Sequence, residues 1–502
     1  MNRRFKRDGV LILLFVLVCL SSASLTYFDN NGFLTPDSTG YLARAQNMLA
    51  GRGYVQMDLL NYGVYARYTE QPPAYSFCIS VLCRLIIPGQ NIFLAAKLFN
   101  VLCVAMLLLF VRGIASRCDW VLSLLILSVP FLHVFTYIWS EALFIPLLLF
   151  FVFELEAFLR SSRVLLIRAF LLGGIGVALF TTRYIGLFVV AVMVFYSCKQ
   201  FFRKDFKRAF YLLSAGLTIS LFATGYFYIN YKQTGNLAGP RIGPGEPFSI
   251  GVISAFKEFL TSMNLLSLGT GSFKLLILFI ATAVFQVSGI SFLWYCLRKR
   301  EMFSFSRQLI KQVNLPSVFI LVGATYFVFI IGVRLIVAFD KLGYRLLSPG
   351  IFCLYAALLL YLENHLSGSI LSAFRRFWVL IISLSFMIGF PLYLMDNASA
   401  TTYILRRSEL APKYGELSAG TLVACGNMHL TYLRPDLQIT QPRRPPYSAE
   451  FEKMKDFLSR IQKSPAAHIA IEIRSVEEMT EYDKSVALYM REHADQVFVY
   501  LR

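Results

Sequence analysis

Charge is scarce in this sequence: 15% of its 502 residues are Asp, Glu, Lys or Arg, against 57% hydrophobic. Soluble domains carry about 25% charged residues, so an ordinary soluble globule is excluded, and the length leaves room for many membrane spans. Phosphate-cradling loops are missing too. There is no Walker A run, and Gly173-Gly174-Ile175-Gly176 lacks the last glycine of a dinucleotide fingerprint and lies inside an apolar run. That argues against an ATP-driven pump. Neither a Cys-x-x-Cys pair nor a His-rich cluster is present, which argues against a structural zinc site. Eight of the nine cysteines sit in or near apolar runs and read as small buried hydrophobes, while Cys425 stands alone in the tail. No unit repeats and no tract is of low complexity.

The net charge of +19 is unevenly spread. The tail from Asp396 to Arg502 holds 14 basic and 14 acidic residues, so the whole surplus belongs to the apolar part. There it is a topology signal rather than a nucleic-acid footprint, and no nucleic-acid partner is expected. Arg3, Arg4, Lys6 and Arg7 precede an apolar run from about Val10 to Tyr27. Small residues at Ser21 to Ser24 leave a cleaved signal peptide as the alternative, but a retained first span fits the membrane-bound segments that follow.

The run Ala74 to Ile87, 14 residues, is short for a span, since crossing the hydrocarbon core takes about 20. With it read as an interfacial or re-entrant helix, later spans fall near 91–111, 120–138, 141–159, 165–181, 184–198, 209–229, 273–296, 316–338, 346–362 and 377–395. Every strongly basic loop, among them Arg112, Arg160, Lys204, Lys299 and Arg375, then faces the cytoplasm. The expected architecture is a polytopic α-helical membrane protein with about 11 transmembrane helices over 1–395. Interfacial helices lie in its first outer loop (28–73), and a small α/β domain (396–502) follows. The N-terminus is cytoplasmic, the tail is extracytoplasmic, and the host is the cell's inner membrane. In the tail, Thr421 to Ala424, Ala467 to Ile471 and Val497 to Leu501 read as strands. Phe451 to Ile461 and roughly 475–493 read as helices. A long outer loop, 230–272, is rich in Gly and Pro up to Pro247 and suits a mobile cover.

Thr35 to Pro73 is the first long polar interruption. Thr35 can cap a helix, Pro36 fits its first position, and Asp37 sits in the first turn, where free backbone N–H groups favour negative charge. Tyr41, Leu42, Ala45, Met48 and Leu49 recur at helical spacing, and Gly51 and Gly53 end the pattern, giving a short helix with one apolar side on the membrane face. Parity of the spans puts Glu141, Arg183 and Arg345 on the same outer side. Two carboxylates and two guanidinium groups there suit a reaction that removes a proton at one end and releases a phosphate anion at the other; arginine holds phosphate bidentately. Plainer accounts stand beside this. Asp37 and Glu141 can serve helix termini, Arg183 and Arg345 can snorkel to headgroups, and Glu70 can be a solvated loop charge. Lys232 and Arg241 can attract anionic lipid generally, and His133 can be packed in the bundle.

Pro36-Asp37-Ser38 with Tyr41-Leu42, Gly51-Arg52-Gly53-Tyr54, Gln71-Pro72-Pro73, Ser140-Glu141-Ala142, Thr182-Arg183-Tyr184 and Tyr344-Arg345-Leu346 occur in this order on one side of the membrane. In that layout the chain resembles the GT-C superfamily of integral-membrane glycosyltransferases, among them lipid A aminoarabinose transferases and bacterial protein mannosyltransferases. The resemblance implies transfer of a sugar from a polyprenyl-phosphate donor to an acceptor hydroxyl on a lipid, glycan or protein, outside the cytoplasm and with inversion. It implies Asp37 as general base, Glu141 as a second acid that positions acceptor or substrate, and Arg183 and Arg345 as contacts of the lipid phosphate. Glu70, Lys232 and Arg241 fall on loops that would meet substrate. No cofactor is required. A divalent metal stays open without support, because Ser38 stands where many members have a second acidic residue. Gln71 stands where the aminoarabinose transferases have lysine, which weakens an identical donor. A transporter or lipid flippase is the competing class, which inverted repeats would favour, and a membrane scaffold is a third.

Overall fold

The computed structural model describes residues 3–29, 32–57, 65–87, 91–114, 119–161, 164–239, 248–265, 287, 314–337, 342–366 and 368–397. In the tail it describes 415, 417, 422–424, 430–434, 436–440, 469–473 and 496–499. The chain divides into two compact units. One comprises Met1–Phe28, Thr69–Tyr75 and Lys97–Ala398; the other comprises Asp29–Tyr68, Ser76–Ala96 and Ser399–Arg502.

The first unit is helical. Among the described residues of the chain, nine helical stretches are long and apolar enough to cross a bilayer. They include α1 (Arg3–Phe28), α4 (Ile92–Ile114), α7 (Glu141–Arg160), α8 (Leu165–Thr182), α9 (Phe188–Phe202), which follows a 3-10 turn at Tyr184–Leu187, and α10 (Phe206–Thr234). Later come α12 (Leu315–Ile336), α13 (Tyr344–His365) and α14 (Gly368–Leu384), which continues through a π turn into α15 (Phe390–Asn397). A polytopic α-helical membrane protein is therefore what the chain builds. Of the expected span near 273–296, residue 287 alone is among the described residues.

The expected span near 120–138 is not one helix. It is split into α5 (Asp119–Ser123), a 3-10 turn at Leu124–Leu127 and α6 (Val129–Thr136). Ser128 turns extended, with ψ 141, and Pro130 opens the next helix. Broken backbone is tolerated at membrane depth only where protein satisfies it, and here it does. The Val129 amide donates to the Ser385 hydroxyl at 3.1 Å, and that hydroxyl donates to the Leu265 carbonyl at 2.7 Å. The segment 230–272, expected as an outer loop that forms a mobile cover, carries a 15-residue helix, α11 (Phe248–Ser262). Its Gly and Pro breakers cluster before Phe248, and Pro240 to Pro247 lie outside the described residues. Phe259 packs edge-on against Phe327 of α12 at 4.8 Å, and the Tyr355 hydroxyl of α13 donates to the Met263 carbonyl at 2.6 Å.

Polar contacts gather at the two ends of this bundle. At one end Arg112 meets Asp8 at 2.9 Å, Arg168 meets Glu154 at 2.9 Å, and Arg375 meets Glu363 at 2.6 Å. Glu141 opens α7 at the other. With 20 residues in that helix and 1.5 Å of rise per residue, the ends are about 30 Å apart, the thickness of a hydrocarbon core. Helices α12 and α13 approach closely because Gly323 faces Gly350; a methyl on Gly350 would lie 2.8 Å from the Phe327 ring.

In the second unit, α2 (Pro36–Leu49) has the expected cap: Thr35 Oγ1 accepts from the Ser38 amide at 3.3 Å, Pro36 is first and Asp37 lies in the first turn. Tyr41, Leu42 and Ala45, expected on the membrane face, are instead buried within the protein, and so are Ser38, Thr39, Arg44 and Asn47. The helix is covered on more than one side, by an antiparallel pair β1 (Val55–Met57) and β2 (Tyr65–Arg67) and by the short α16 (Leu430–Leu433). The Asn47 amide donates to the Val55 carbonyl at 3.0 Å. The short helix α3 (Ala74–Ile86), shared between the units, has 13 residues and is too short to cross; Ser76 Oγ donates to the Tyr41 carbonyl at 3.0 Å.

Four tail strands, β3 (Leu422–Ala424), β4 (Gln438–Thr440), β5 (Ile469–Ile473) and β6 (Gln496–Val499), form a parallel sheet in the order β4-β3-β5-β6. Three match the expected strands, while β4 was not foreseen. The two expected tail helices lie outside the described residues.

Candidate active site

Three of the charged residues singled out in the sequence meet. Glu141 is the first residue of α7, directly after Ser140, and its side chain is fully buried, at 0% exposure. Arg183 follows the end of α8, and Arg345 lies in the first turn of α13. Both guanidinium groups reach the same carboxylate oxygen: Arg183 Nη1 pairs with Glu141 Oε1, and Arg345 Nε donates to that oxygen at 3.0 Å. The Ser140 hydroxyl faces the other oxygen, Oε2, at 3.4 Å. The arginine side chains stay 15% and 22% exposed, so each keeps a route to the surface. Helix termination alone does not account for Glu141, nor snorkelling for the arginines.

Local sequence places each partner. Helix α8 ends where the Thr181 and Thr182 hydroxyls bond back to the Val177 and Ala178 carbonyls, after which Arg183 is extended at φ −152. The chain then turns back on itself, and only glycine fits at 186, where a methyl would sit 2.5 Å from the Leu179 carbonyl carbon. The Tyr184 hydroxyl donates to the Thr69 carbonyl at 2.7 Å, which ties the Thr69–Tyr75 segment to this turn. Arg345 is held from a second side: its guanidinium lies 4.7 Å from the Trp139 ring centre, a cation–π contact worth about 0.5–2 kcal/mol. Tyr344 takes His133 Nδ1 at 3.3 Å, and the His133 ring packs 4.0 Å from that of Tyr393. His133 is thus a packed bundle residue.

Two guanidinium groups against one carboxylate leave one net positive charge. An arginine has five N–H donors in a planar fork, so the trio keeps donors in excess of what Glu141 accepts. Such a cluster suits an oxyanion, phosphate above all. Among the described residues no group of three or more His, Cys, Asp or Glu side chains is placed to hold a metal ion.

Asp37 belongs to the second unit, half-buried in the first turn of α2. One residue on its helix was missed by sequence reasoning. Arg44, 1% exposed, lies over the Tyr68 ring at 3.9 Å, with Tyr41 at 5.1 Å and Tyr54 at 5.8 Å, and donates to Gln56 at 3.4 Å. Its head runs back over Gly40, where a methyl would stand 3.0 Å from Nη1, toward the turn that holds Asp37. Burial pulls this guanidinium's pKa down, while Tyr54, Tyr68, Tyr41 and Asp37 pull it up, and the net direction is upward. It stays charged. The signal was available: seven residues make two helical turns, so positions 37 and 44 share a face.

Two of the three remaining loop residues are described. Glu70 is exposed and lies against the loop at Gly239, while Lys232 is exposed with its ammonium 5.7 Å from the Tyr228 ring. Arg241 lies outside the described residues.

No protein-family model and no curated protein matches the sequence. Solved structures are. ArnT from Cupriavidus metallidurans, bound to undecaprenyl phosphate, is 14% identical over 92% of this chain and 93% of its own, with a TM-score of 0.43. The Archaeoglobus fulgidus oligosaccharyltransferase in complex with Zn and sulfate is 13% identical over 86% of this chain and 62% of its own, with a TM-score of 0.48. The archaeal oligosaccharyltransferase AglB from the same organism, in complex with an inhibitory peptide and a dolichol-phosphate, is 12% identical over 98% and 69%, with a TM-score of 0.45.

Proposed function

We propose that the chain is a GT-C-type membrane glycosyltransferase that moves a sugar from a polyprenyl-phosphate carrier to an acceptor hydroxyl on the extracytoplasmic face of the inner membrane. The observation that carries this reading is the sharing of one Glu141 oxygen by Arg183 and Arg345 at one end of a membrane bundle. A buried lone arginine pair would repel; a carboxylate between them holds both in place, in a cluster whose guanidinium forks suit a phosphate. In this reading Glu141 acts through the arginines, as a positioning residue.

The reaction needs one proton moved and one bond exchanged. The acceptor oxygen attacks the anomeric carbon from the face opposite the phosphate, so the configuration inverts. The bond from that carbon to the phosphate oxygen breaks, its electron pair leaves with the polyprenyl phosphate, and the arginines take up the growing charge. The acceptor's proton goes to the Asp37 carboxylate, the general base. Arg44 is buried behind the first turn of α2, which carries that base. The polyprenyl-phosphate sugar needs no nucleotide pocket, in keeping with the missing Walker and dinucleotide runs. The acceptor is a lipid, glycan or protein of the cell envelope.

The test is transfer of radiolabel. The purified chain in liposomes receives a polyprenyl-phosphate-linked, sugar-labelled donor and an envelope extract as acceptor. Label moving to acceptor, with free polyprenyl phosphate released, supports the transferase. Label that stays on the lipid but crosses between leaflets points to the flippase.

A further inference from the structure

A second cationic cleft lies at the far end of the same bundle. Helix α13 carries Arg345 in its first turn and Glu363 in its last; at 1.5 Å per residue the two are roughly 27 Å apart. Beside Glu363, along one face of α14, runs a cavity of about 530 Å³ lined by Trp120, Ser372, Arg375, Arg376, Val379 and Leu380, among others. Sites for small molecules commonly fall between about 300 and 1,000 Å³.

Along α14 the two arginines of the lining have Leu371 one turn before them, and Ser383 closes the row after Leu380. Arg375 is fixed: its Nε and Nη2 donate to the two oxygens of Glu363 at 2.7 and 2.6 Å, and its guanidinium lies 6.0 Å from the Trp120 ring centre. Glu363, with its side chain 3% exposed, neutralises it. Arg376, the next residue, is exposed and lines the same cleft. Among the described residues one net positive charge therefore remains, in a donor-rich pocket with a tryptophan at its edge. One turn further along α14 the lining becomes apolar, at Val379 and at Leu380, which is 48% exposed.

A guanidinium pair followed by an exposed aliphatic strip has the polarity order of a phospholipid: phosphate first, hydrocarbon next. Tryptophan favours that boundary, and basic pockets between membrane helices take anionic headgroups. The charge count selects among lipids. A phosphodiester that carries one negative charge balances the cleft, whereas a phosphocholine would bring its own cation against Arg376. We infer that the Trp120–Arg375–Arg376 cleft binds the phosphate of a monoanionic glycerophospholipid, with the start of an acyl chain along Val379 and Leu380. This inference stands apart from the proposed sugar transfer, since the cleft is at the other end of the bundle.

Native mass spectrometry of the full chain, released from mixed phosphatidylglycerol and phosphatidylcholine micelles, tests it. The expected result is preferential retention of one phosphatidylglycerol. Arg376→Gln should reduce that retention about five-fold, the loss typical of one surface cation beside anionic lipid. Leu380→Trp, which fills the apolar strip, should also reduce it while leaving the charges in place, and it serves as the second variant should Arg376→Gln melt early. Equal retention of both lipids, or phosphatidylglycerol held as well by both variants as by the parent, overturns the inference. Displacement of the lipid by millimolar inorganic phosphate overturns the lipid assignment and leaves a plain anion site.

Discussion

Arg345 donates from Nε to Oε1 of Glu141 at 3.0 Å across a separation of 204 residues, on the same oxygen that Arg183 pairs with. Two helices and a turn are thereby fastened at one buried carboxylate. Removing its charge leaves two guanidinium groups facing each other. Breaking a buried pair from one side costs about 3–5 kcal/mol, so Glu141→Gln should lower the unfolding midpoint in detergent markedly. An unchanged midpoint would mean the pair is solvated and not structural.

Arg345 touches both Glu141 and the Trp139 ring. If it also contacts the donor phosphate, Arg345→Ala should weaken donor binding roughly ten- to a hundred-fold, the value of a hydrogen bond to a charged group. Trp139→Leu should weaken it less, through lost orientation. Isothermal titration with the polyprenyl-phosphate-linked sugar reads both; donor affinity unaffected in Arg345→Ala returns that residue to a purely structural role.

Gly40→Ala sets two effects against each other. Alanine gains about 1 kcal/mol over glycine in a helix interior, but its methyl would lie 3.0 Å from the Arg44 head. That head is boxed in by Tyr41, Tyr54 and Tyr68. Overpacking costs about 1–3 kcal/mol, so the expected net effect is a lower melting temperature. A raised one would show that Arg44 can move aside.

The second unit should lose stability in acid. Arg434 holds Asp436 with two bonds, Nε to Oδ1 at 2.9 Å and Nη2 to Oδ2 at 2.8 Å. Burial raises the carboxyl's pKa, but the Arg434 bonds and charge, a backbone bond and the Arg52 charge outweigh it, and the net shift is downward. A carboxylate with a depressed folded pKa contributes stability that is present above its unfolded value, about 3.9, and lost as pH falls through the folded one. Asp436→Asn should therefore flatten the acid limb of a pH-stability curve below about pH 4. A limb identical to the parent's would remove Asp436 from the account.

Much of this was legible in the sequence, for physical reasons. Thr35-Pro36-Asp37 announces a helix start because each residue satisfies a separate demand of the first turn, and hydropathy marks most spans. The break at Ser128 was not legible, because the run stays apolar on both sides and hydropathy does not register backbone geometry. Its satisfaction by Ser385 is a contact across 256 residues. Span boundaries picked out Glu141, Arg183 and Arg345 as charges, but not that they share an oxygen. Arg44 escaped notice because a charged residue on a short helix reads as solvated. Tyr54 and Tyr68, which flank β1 and β2, cover it together with Tyr41, and strands of three residues each leave little period-2 signal.

The most direct measurement is single-turnover transfer by Asp37→Asn beside the parent, with donor affinity measured on the same samples. The account predicts donor binding that is largely intact and turnover lower by roughly two to four powers of ten, as for the loss of a general base. Parental turnover in Asp37→Asn, with the sugar still delivered to its acceptor, would contradict it.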